Sequence, residues 1–295
     1  MAIKYDSVFV KRPDVEIEYT PEHISELHKC SNDINYFLKY VKIVNPDKGE
    51  IKFSPYDYQE DLLKKFNKNR FNIVLASRQS GKTSIVAVYA LWYSIFHSDK
   101  NIGIVSNKES SAKMILGRLK RMYECLPVFL KPGVHEYSKT FITFDNHTRI
   151  LISATSPDAF RGESINLLIC DELAFVPNNI AEEFWAANYP TISASTEAKV
   201  IIISTPQGLF NLYHRIYSQA EADMNSFVHT RIGWEQVPGR NEEWAKEQIQ
   251  NLGMVKFNQE FNCVTGDTYI DVYDTKEDEV KIITIENLFE NLYGL

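Results

Sequence analysis

An α/β fold with a mainly parallel central sheet flanked by helices is predicted by three stretches of this 295-residue chain. The first is residues 72–85, NIVLASRQSGKTSI, where a short apolar strand at 73–75 feeds a polar loop and then the helix-periodic VAVYALWYSIF. In the second, INLLICDELAFVP at 165–177, an apolar strand carries Asp171 and Glu172 at its C-terminal end, the edge where parallel sheets bind ligands. The third, AKVIIISTP, is a strand that stops at Ser204, Thr205 and Pro206. Strand, loop and helix in that order form a phosphate-binding loop, and the predicted class is a P-loop NTPase.

In chain order, residues 1–21 mix charges with β-branched residues without a period and predict an irregular arm. Residues 21–44 predict two short helices, with Thr20 and Ser31 as N-caps, and NPDKGE at 45–50 is a turn. FSPYDYQEDLLKKF at 53–66 has helical spacing after Pro55. Gln59 lies about twenty residues before the loop, where a glutamine amide pairs with adenine in many translocating ATPases while Tyr56 or Tyr58 stacks on the base. The alternative is an amphipathic helix with an exposed glutamine.

Within the loop, the N–H groups of Ser77, Gln79, Ser80 and Gly81 are candidate phosphate ligands. Lys82 is placed to reach the β- and γ-phosphates and the Thr83 hydroxyl to ligate Mg²⁺, which makes ATP and Mg²⁺ the expected substrate and cofactor. Ala76 stands where the general loop pattern has its first glycine, and Arg78 adds a charge inside the loop.

Residues 101–107 form a second buried strand, and SSAKMILGRLKRMYECL a helix whose Lys113, Arg118, Lys120 and Arg121 face either DNA phosphates or simply solvent. KTFITFDN and TRILISA make a hairpin-like pair about DNH. At the C-terminal end of the apolar strand 165–170, the two carboxylates divide the work: Asp171 holds Mg²⁺ through water and Glu172 polarises the attacking water. The hydroxyls of Ser204 and Thr205 are placed to sense the γ-phosphate.

Composition narrows the class. With 44% hydrophobic residues the chain has enough apolar mass for a real core. No apolar run approaches a membrane span, and MAIKYDS lacks a signal-peptide core, which predicts a cytosolic protein. The four cysteines lie far apart without a CxxC pair, which argues against a zinc site and a disulfide framework. A formal net charge of −7 supplies no global attraction to nucleic acid, so DNA contacts must be local or depend on assembly.

Taken together, CSNDINYFLKYVKIV, FSPYDYQ, SRQSGKT, FRGESINLLICDELAFVP, IIISTPQGL and FNQEFNC resemble the ATPase half of the large terminase subunit of tailed bacteriophages, over most of residues 25–262. The resemblance implies a small lid subdomain and a DNA-packaging ATPase. It also implies Arg78 as an arginine finger in cis, Glu172 as catalytic base, and Ser204, Thr205 and Pro206 as a coupling motif. Ala76 agrees with the deviant loop of these motors. Expected partners are double-stranded DNA, the portal and the small terminase subunit, in a homo-oligomeric ring with no membrane. The expected location is the cytoplasm of an infected bacterial host, transiently at the prohead portal.

Beyond Asn262 the pattern changes. Cys263, followed by Gly266, Asp267 and Thr268 and alternating β-forming residues, resembles the first block of an intein. In that chemistry Cys263 is the splicing nucleophile and the Asn262 carbonyl the scissile group, exchanging an amide for a thioester. No histidine follows His229 and the chain ends at Leu295, so residues 263–295 are read as the amino-terminal piece of an atypically split, β-rich intein. Its expected partner is a complementary polypeptide bearing the rest of the intein and an RNase H-like nuclease; an ordinary terminase cysteine with a divergent tail is the alternative.

The predicted organisation is residues 1–50 as arm and first helices, 51–235 as ATPase core, 236–262 as lid and hinge, and 263–295 as intein fragment. The alternative function is a helicase-like P-loop remodeller, for which 295 residues leave little room for a second motor domain. A nucleotide-dependent scaffold would require an idle Glu172.

Overall fold

The computed structural model describes residues 9–45, 47–263, 269–274, 279–284 and 287. After an irregular arm come α1 (Pro21–Asn32) and α2 (Ile34–Phe37). Thr20 caps α1, its hydroxyl accepting from the His23 N–H. The predicted cap Ser31 instead lies in the last turn of α1 and donates to the His28 carbonyl, while Asp33 caps α2. A short carboxylate at the reversal between two helices caps the second one better than a hydroxyl still inside the first. The hairpin β1 (Lys42–Asn45) and β2 (Gly49–Lys52) follows, then α3 (Asp57–Lys68), β3 (Phe71–Ala76) and α4 (Lys82–Phe96).

The chain continues through β4 (Asn101–Ser106), α5 (Glu109–Cys125), β5 (Val134–Tyr137), β6 (Phe141–Phe144) and β7 (Arg149–Ala154). Then come β8 (Leu167–Asp171), α6 (Asn178–Ala194), β9 (Lys199–Ser204), α7 (Leu212–Glu221) and β10 (Val228–Ile232). Two helices, α8 (Glu242–Leu252) and α9 (Met254–Phe257), a π-helical turn at Asn258–Asn262 and a hairpin, β11 (Tyr269–Asp274) with β12 (Glu279–Thr284), follow.

Eight strands form one sheet in the order β10-β3-β9-β8-β4-β7-β6-β5. All pairs from β10 to β7 are parallel, and β6 and β5 append an antiparallel edge. The expected fold class, α/β with a mainly parallel sheet, is what the chain adopts. Successive residues of β3, β8 and β9 alternate between two apolar layers, as the two-residue strand period requires. Val74, Leu167, Ile169, Ile201 and Ile203 face the layer built with α1 to α5. Ile73, Leu75, Leu168, Cys170, Val200 and Ile202 face the layer built with α6 and α7. Burial on both faces is why these strands read as unbroken apolar runs rather than alternating ones.

Helix α4 is apolar on every side because sheet and helices enclose it: Ile85 through Ser94 are all buried. Its polar ring atoms are nonetheless satisfied, with Trp92 Nε1 donating to the Cys30 carbonyl at 2.8 Å and the Tyr89 hydroxyl to the Phe66 carbonyl at 3.0 Å. The Trp92 bond ties residues before 50 into the core; Cys30, Ile34, Phe37 and Val41 belong to the same apolar layer. A separate small cluster of Ala245, Phe257 and Phe261, joined by Trp234, Trp244 and Ile249, holds α8 and α9 together.

Candidate active site

The strand order places β9 between β3 and β8, so the phosphate loop, the carboxylate pair and the Ser204 strand end meet at one C-terminal sheet edge. Register fixes this: Leu75 pairs with Ser204, and Asp171 with Ile203. Gly81, at φ +76°, turns the loop into α4, and Gln79 is also left-handed at φ +57°. An ideal Cβ on Gly81 would lie 2.5 Å from Gln59 Nε2, so the side-chain space there is already occupied.

Lys82, at the first position of α4, points its ammonium at Glu172, with Nζ to Oε1 at 2.8 Å. Glu172 sits one residue past β8 in a left-handed conformation, φ +56°, with its N–H donating to the Ile203 carbonyl. Its other oxygen lies 3.5 Å from both the Ser204 and the Thr205 hydroxyl. A bulky residue held at positive φ beside a sheet edge is a strained placement characteristic of working sites. Glu172 thus bridges the loop lysine and the hydroxyl-bearing strand end.

Asp171 is buried, and burial together with the neighbouring Glu172 charge pushes its pKa up to about 7, against the opposing pull of Lys82 and Arg118. Its Oδ1 and the Ser80 hydroxyl are buried without a hydrogen-bond partner. Leaving such atoms dry costs about 1–3 kcal/mol each, which marks a place built to receive something polar. The residues therefore fit a hydrated Mg²⁺ held by Thr83 and Asp171, which takes few protein ligands and prefers oxygen. Among the described residues no cluster of three or more His, Cys, Asp or Glu side chains forms a protein-only metal cage.

Tyr58 and Gln59 act on the loop itself. The Tyr58 hydroxyl and Gln59 Nε2 donate to the Ser80 carbonyl at 2.7 and 3.1 Å, and Gln59 Oε1 accepts from the Tyr56 N–H at 3.0 Å. Both ends of the Gln59 amide are engaged by the protein, where sequence reasoning expected them to face adenine. Arg78 is held by the 258–262 segment: its guanidinium pairs with Glu260 at 3.0 Å and its N–H donates to the Glu260 carbonyl at 2.8 Å. Burial raises the Glu260 pKa, but Lys256 and Arg78 outweigh it and keep the carboxylate ionised. Pro206, the last residue of the coupling motif, accepts at 3.4 Å from Gln259 in the same segment.

Three site residues escaped sequence reasoning. Arg240 reaches the loop from the turn before α8, Glu260 answers Arg78, and Arg118 of α5 donates to the Ser84 hydroxyl at 3.1 Å. In the sequence, Glu260 stands in the NQEF string with no role attached, and Arg118 is one of four helix cations that face either DNA phosphates or solvent. Arg240, in PGRN, had no signal; only chain folding brings it to the loop. The other three cations of α5 are engaged locally: Lys113 by Glu109, Lys120 by the Ser138 carbonyl, and Arg121 by Glu50 and Glu124.

At the chain's other junction, Cys263 is buried at φ +51°, its thiol 3.6 Å from the Ile232 carbonyl. Burial pushes the thiol up to about 12, only partly offset by Arg231 and Lys82, so it is neutral and shielded. Arg231 donates to the Asn262 carbonyl at 2.5 Å and to the Cys263 carbonyl at 3.3 Å. Gly266, Asp267 and Thr268 lie outside the described residues, as does most of IENLFENL; β11 and β12 form a two-stranded sheet of their own.

Comparison with known proteins agrees with this architecture. A family model described as terminase large subunit, T4likevirus-type, N-terminal, matches residues 73–283, a span that continues past Cys263. The large terminase subunit of Thermus phage G20c is 25% identical over 246 residues, covering 72% of this chain and 48% of the relative. The chain thus spans about half the length of the curated relatives it matches. The large terminase ATPase domain of Thermus phage P74-26 superposes with a TM-score of 0.58 at 22% identity, covering 72% of this chain and 94% of that one. The large terminase of the thermophilic bacteriophage D6E, solved with ATP-gamma-S, gives 0.57 at 15% identity over 76% of this chain and 57% of its own. On the extent of the family-model match, this chain belongs to the T4-like-virus-type terminase large subunit family, in the N-terminal part that the model describes.

Proposed function

We propose that the chain is the ATP-hydrolysing motor module of a viral DNA-packaging terminase large subunit. The observation that carries this is the Lys82–Glu172 contact at the sheet edge, beside a buried Asp171 with an unpartnered oxygen. In the protein alone, Lys82 neutralises Glu172. An incoming γ-phosphate competes for Lys82, leaving Glu172 as an unpaired carboxylate free to orient and deprotonate water. Thr83 and Asp171 would hold Mg²⁺, which would neutralise phosphate charge. The Ser204 and Thr205 hydroxyls touch the same carboxylate, so its state is passed to the end of β9 and through Pro206 to the segment holding Arg78. Arg78, once released by Glu260, is the arginine for the transferring phosphoryl. Gln59 and Tyr58 brace the loop through the Ser80 carbonyl. The large terminase of phage D6E bound to an ATP analogue supports the ligand class.

The test is Glu172→Gln, which keeps size and hydrogen bonding while removing the base. Nucleotide binding is retained, and turnover falls by about 100-fold or more; unchanged hydrolysis in the purified variant would move the base elsewhere. The expected partners are double-stranded DNA, portal, small subunit and further copies of this chain in a ring, in the cytoplasm of an infected host.

A second reading concerns residues 263–295 as the amino-terminal fragment of a split intein that joins this module to a nuclease-bearing partner. The sequence CVTGDT and the antiparallel pairing of β11 with β12 favour it. The buried, neutral Cys263 thiol requires that the junction leave the core before attack on the Asn262 carbonyl, with Arg231 releasing that carbonyl. Intact mass spectrometry of the chain mixed with candidate partners reads the outcome. A ligated product containing residues 1–262, absent with Cys263→Ala, supports splicing; an unchanged mass with every partner leaves Cys263 as a packing residue of the ATPase.

A further inference from the structure

Three consecutive carbonyls of the phosphate loop are gripped by side chains from outside it. Arg240 Nη2 donates to the carbonyls of Arg78 at 2.9 Å and Gln79 at 3.3 Å, while Nη1 donates to the Ser77 hydroxyl at 3.0 Å. The next carbonyl, of Ser80, takes the Tyr58 hydroxyl and Gln59 Nε2. In a planar trans peptide, the carbonyl of one residue and the N–H of the next point in opposite directions. Fixing carbonyls 78, 79 and 80 therefore turns the N–H groups of Gln79, Ser80 and Gly81 the other way. The Ser80 N–H spans the turn to the Ser77 carbonyl at 3.3 Å, a long contact that a phosphate oxygen can replace.

The guanidinium is itself held firmly. It lies 4.7 Å over the Trp244 ring and 5.5 Å from that of Phe261, two of the four aromatics of the small cluster joining α8 and α9. Its planar fork meets three acceptors at once, which an ammonium on a flexible stem cannot do. The loop's geometry is thus set by the segment that follows β10, about 160 residues downstream.

We infer that Arg240 is a positioning residue for nucleotide binding: it holds the Arg78 and Gln79 peptides with their N–H groups toward the polyphosphate, making phosphate affinity depend on the seating of α8. The inference rests on the ATP-binding reading above and adds a residue with no place in it. Arg240 touches no reacting group; it acts through the loop backbone.

Equilibrium binding of a fluorescent ATP analogue to the full chain, with Arg240→Ala, Arg240→Lys and Tyr58→Phe, tests it. Arg240→Ala weakens binding about 10- to 100-fold, as expected for losing charge-assisted bonds at a built site. Arg240→Lys recovers little of this, and added guanidinium ion restores part of the Arg240→Ala loss, which a merely structural role would not allow. Tyr58→Phe, which removes one hydroxyl at the other end of the gripped run, weakens binding in the same direction by a smaller factor and decides the matter if Arg240→Ala misfolds. Wild-type binding with unchanged affinity in the folded variants overturns the positioning role alone. Absence of ATP binding by the wild type overturns the ATP reading and this inference with it.

Discussion

At the scale of single residues, the adjacent acids divide by environment. Asp171 ends β8 buried on both faces of the sheet, whereas Glu172, one residue on, turns out to meet Lys82 and two hydroxyls. Burial disfavours the Asp171 carboxylate and keeps its proton in the folded chain up to about pH 7, while an unfolded aspartate loses it near about pH 4. The folded state thus binds more protons in that interval, so this contribution to stability is full below about pH 4 and is lost as pH rises through 7. In magnesium-free buffer, urea midpoints measured across this range fall with rising pH, and Asp171→Asn flattens that dependence. The same burial rule applied to Cys263 gives a thiol that stays neutral at physiological pH. In the native chain it resists alkylating reagents while partly exposed Cys125 reacts; rapid native-state labelling of Cys263 would show that its shielding is transient.

At the scale of elements, the strand, loop and helix around residues 71–96 carry the most information per residue. The loop can reverse into α4 because Gly81 accepts φ +76°, and its lack of Cβ leaves room for the Gln59 amide. Gly81→Ala forces a left-handed alanine, at a cost of about 1–2 kcal/mol, and displaces Gln59 from the Ser80 carbonyl. The expected result is a lower denaturation midpoint together with weakened nucleotide binding; loss of stability without loss of binding would separate the turn from the site. The helices around this unit show where local signals compete. Ser31 and Asp33 are both good N-cap residues two positions apart, and periodicity alone does not choose between them. The structure does, because α1 runs to Asn32 before the chain reverses. The edge strand β5 and the short β10 were invisible to sequence reasoning for another reason. In VHEY and VHTRI only Val134 and Ile232 are buried, so no continuous apolar run marks them.

At the scale of the whole molecule, one sheet ties together segments that lie far apart in the chain. Residues before 50 fill the layer under α4, and residues 228–232 pair beside β3, which carries the following segment back over the phosphate loop. The hairpin of β11 and β12 stands outside this arrangement as a separate two-stranded sheet, a unit of marginal stability on its own. A chain truncated after Cys263 is expected to keep the melting temperature of the full chain and its nucleotide affinity, because Cys263 closes the apolar layer with α7 while no hairpin side chain among the described residues belongs to that layer; a large drop in calorimetric melting temperature would show that residues 264–295 pack on the core. By itself, the sequence determined the α/β class, the three strands β3, β8 and β9, and the placing of Lys82, Asp171 and Glu172 at the ends of a loop and a strand. Those features rest on local periodicity and on residue types at strand ends. Only the tertiary structure decided which partner each polar group takes: Glu260 for Arg78, the Ser80 carbonyl for Gln59, and Arg240 for the loop carbonyls. Such choices depend on distances between segments up to about 180 residues apart, and no local pattern encodes them, because hydrogen-bonding capacity is a property of a residue while its satisfaction is a property of the fold.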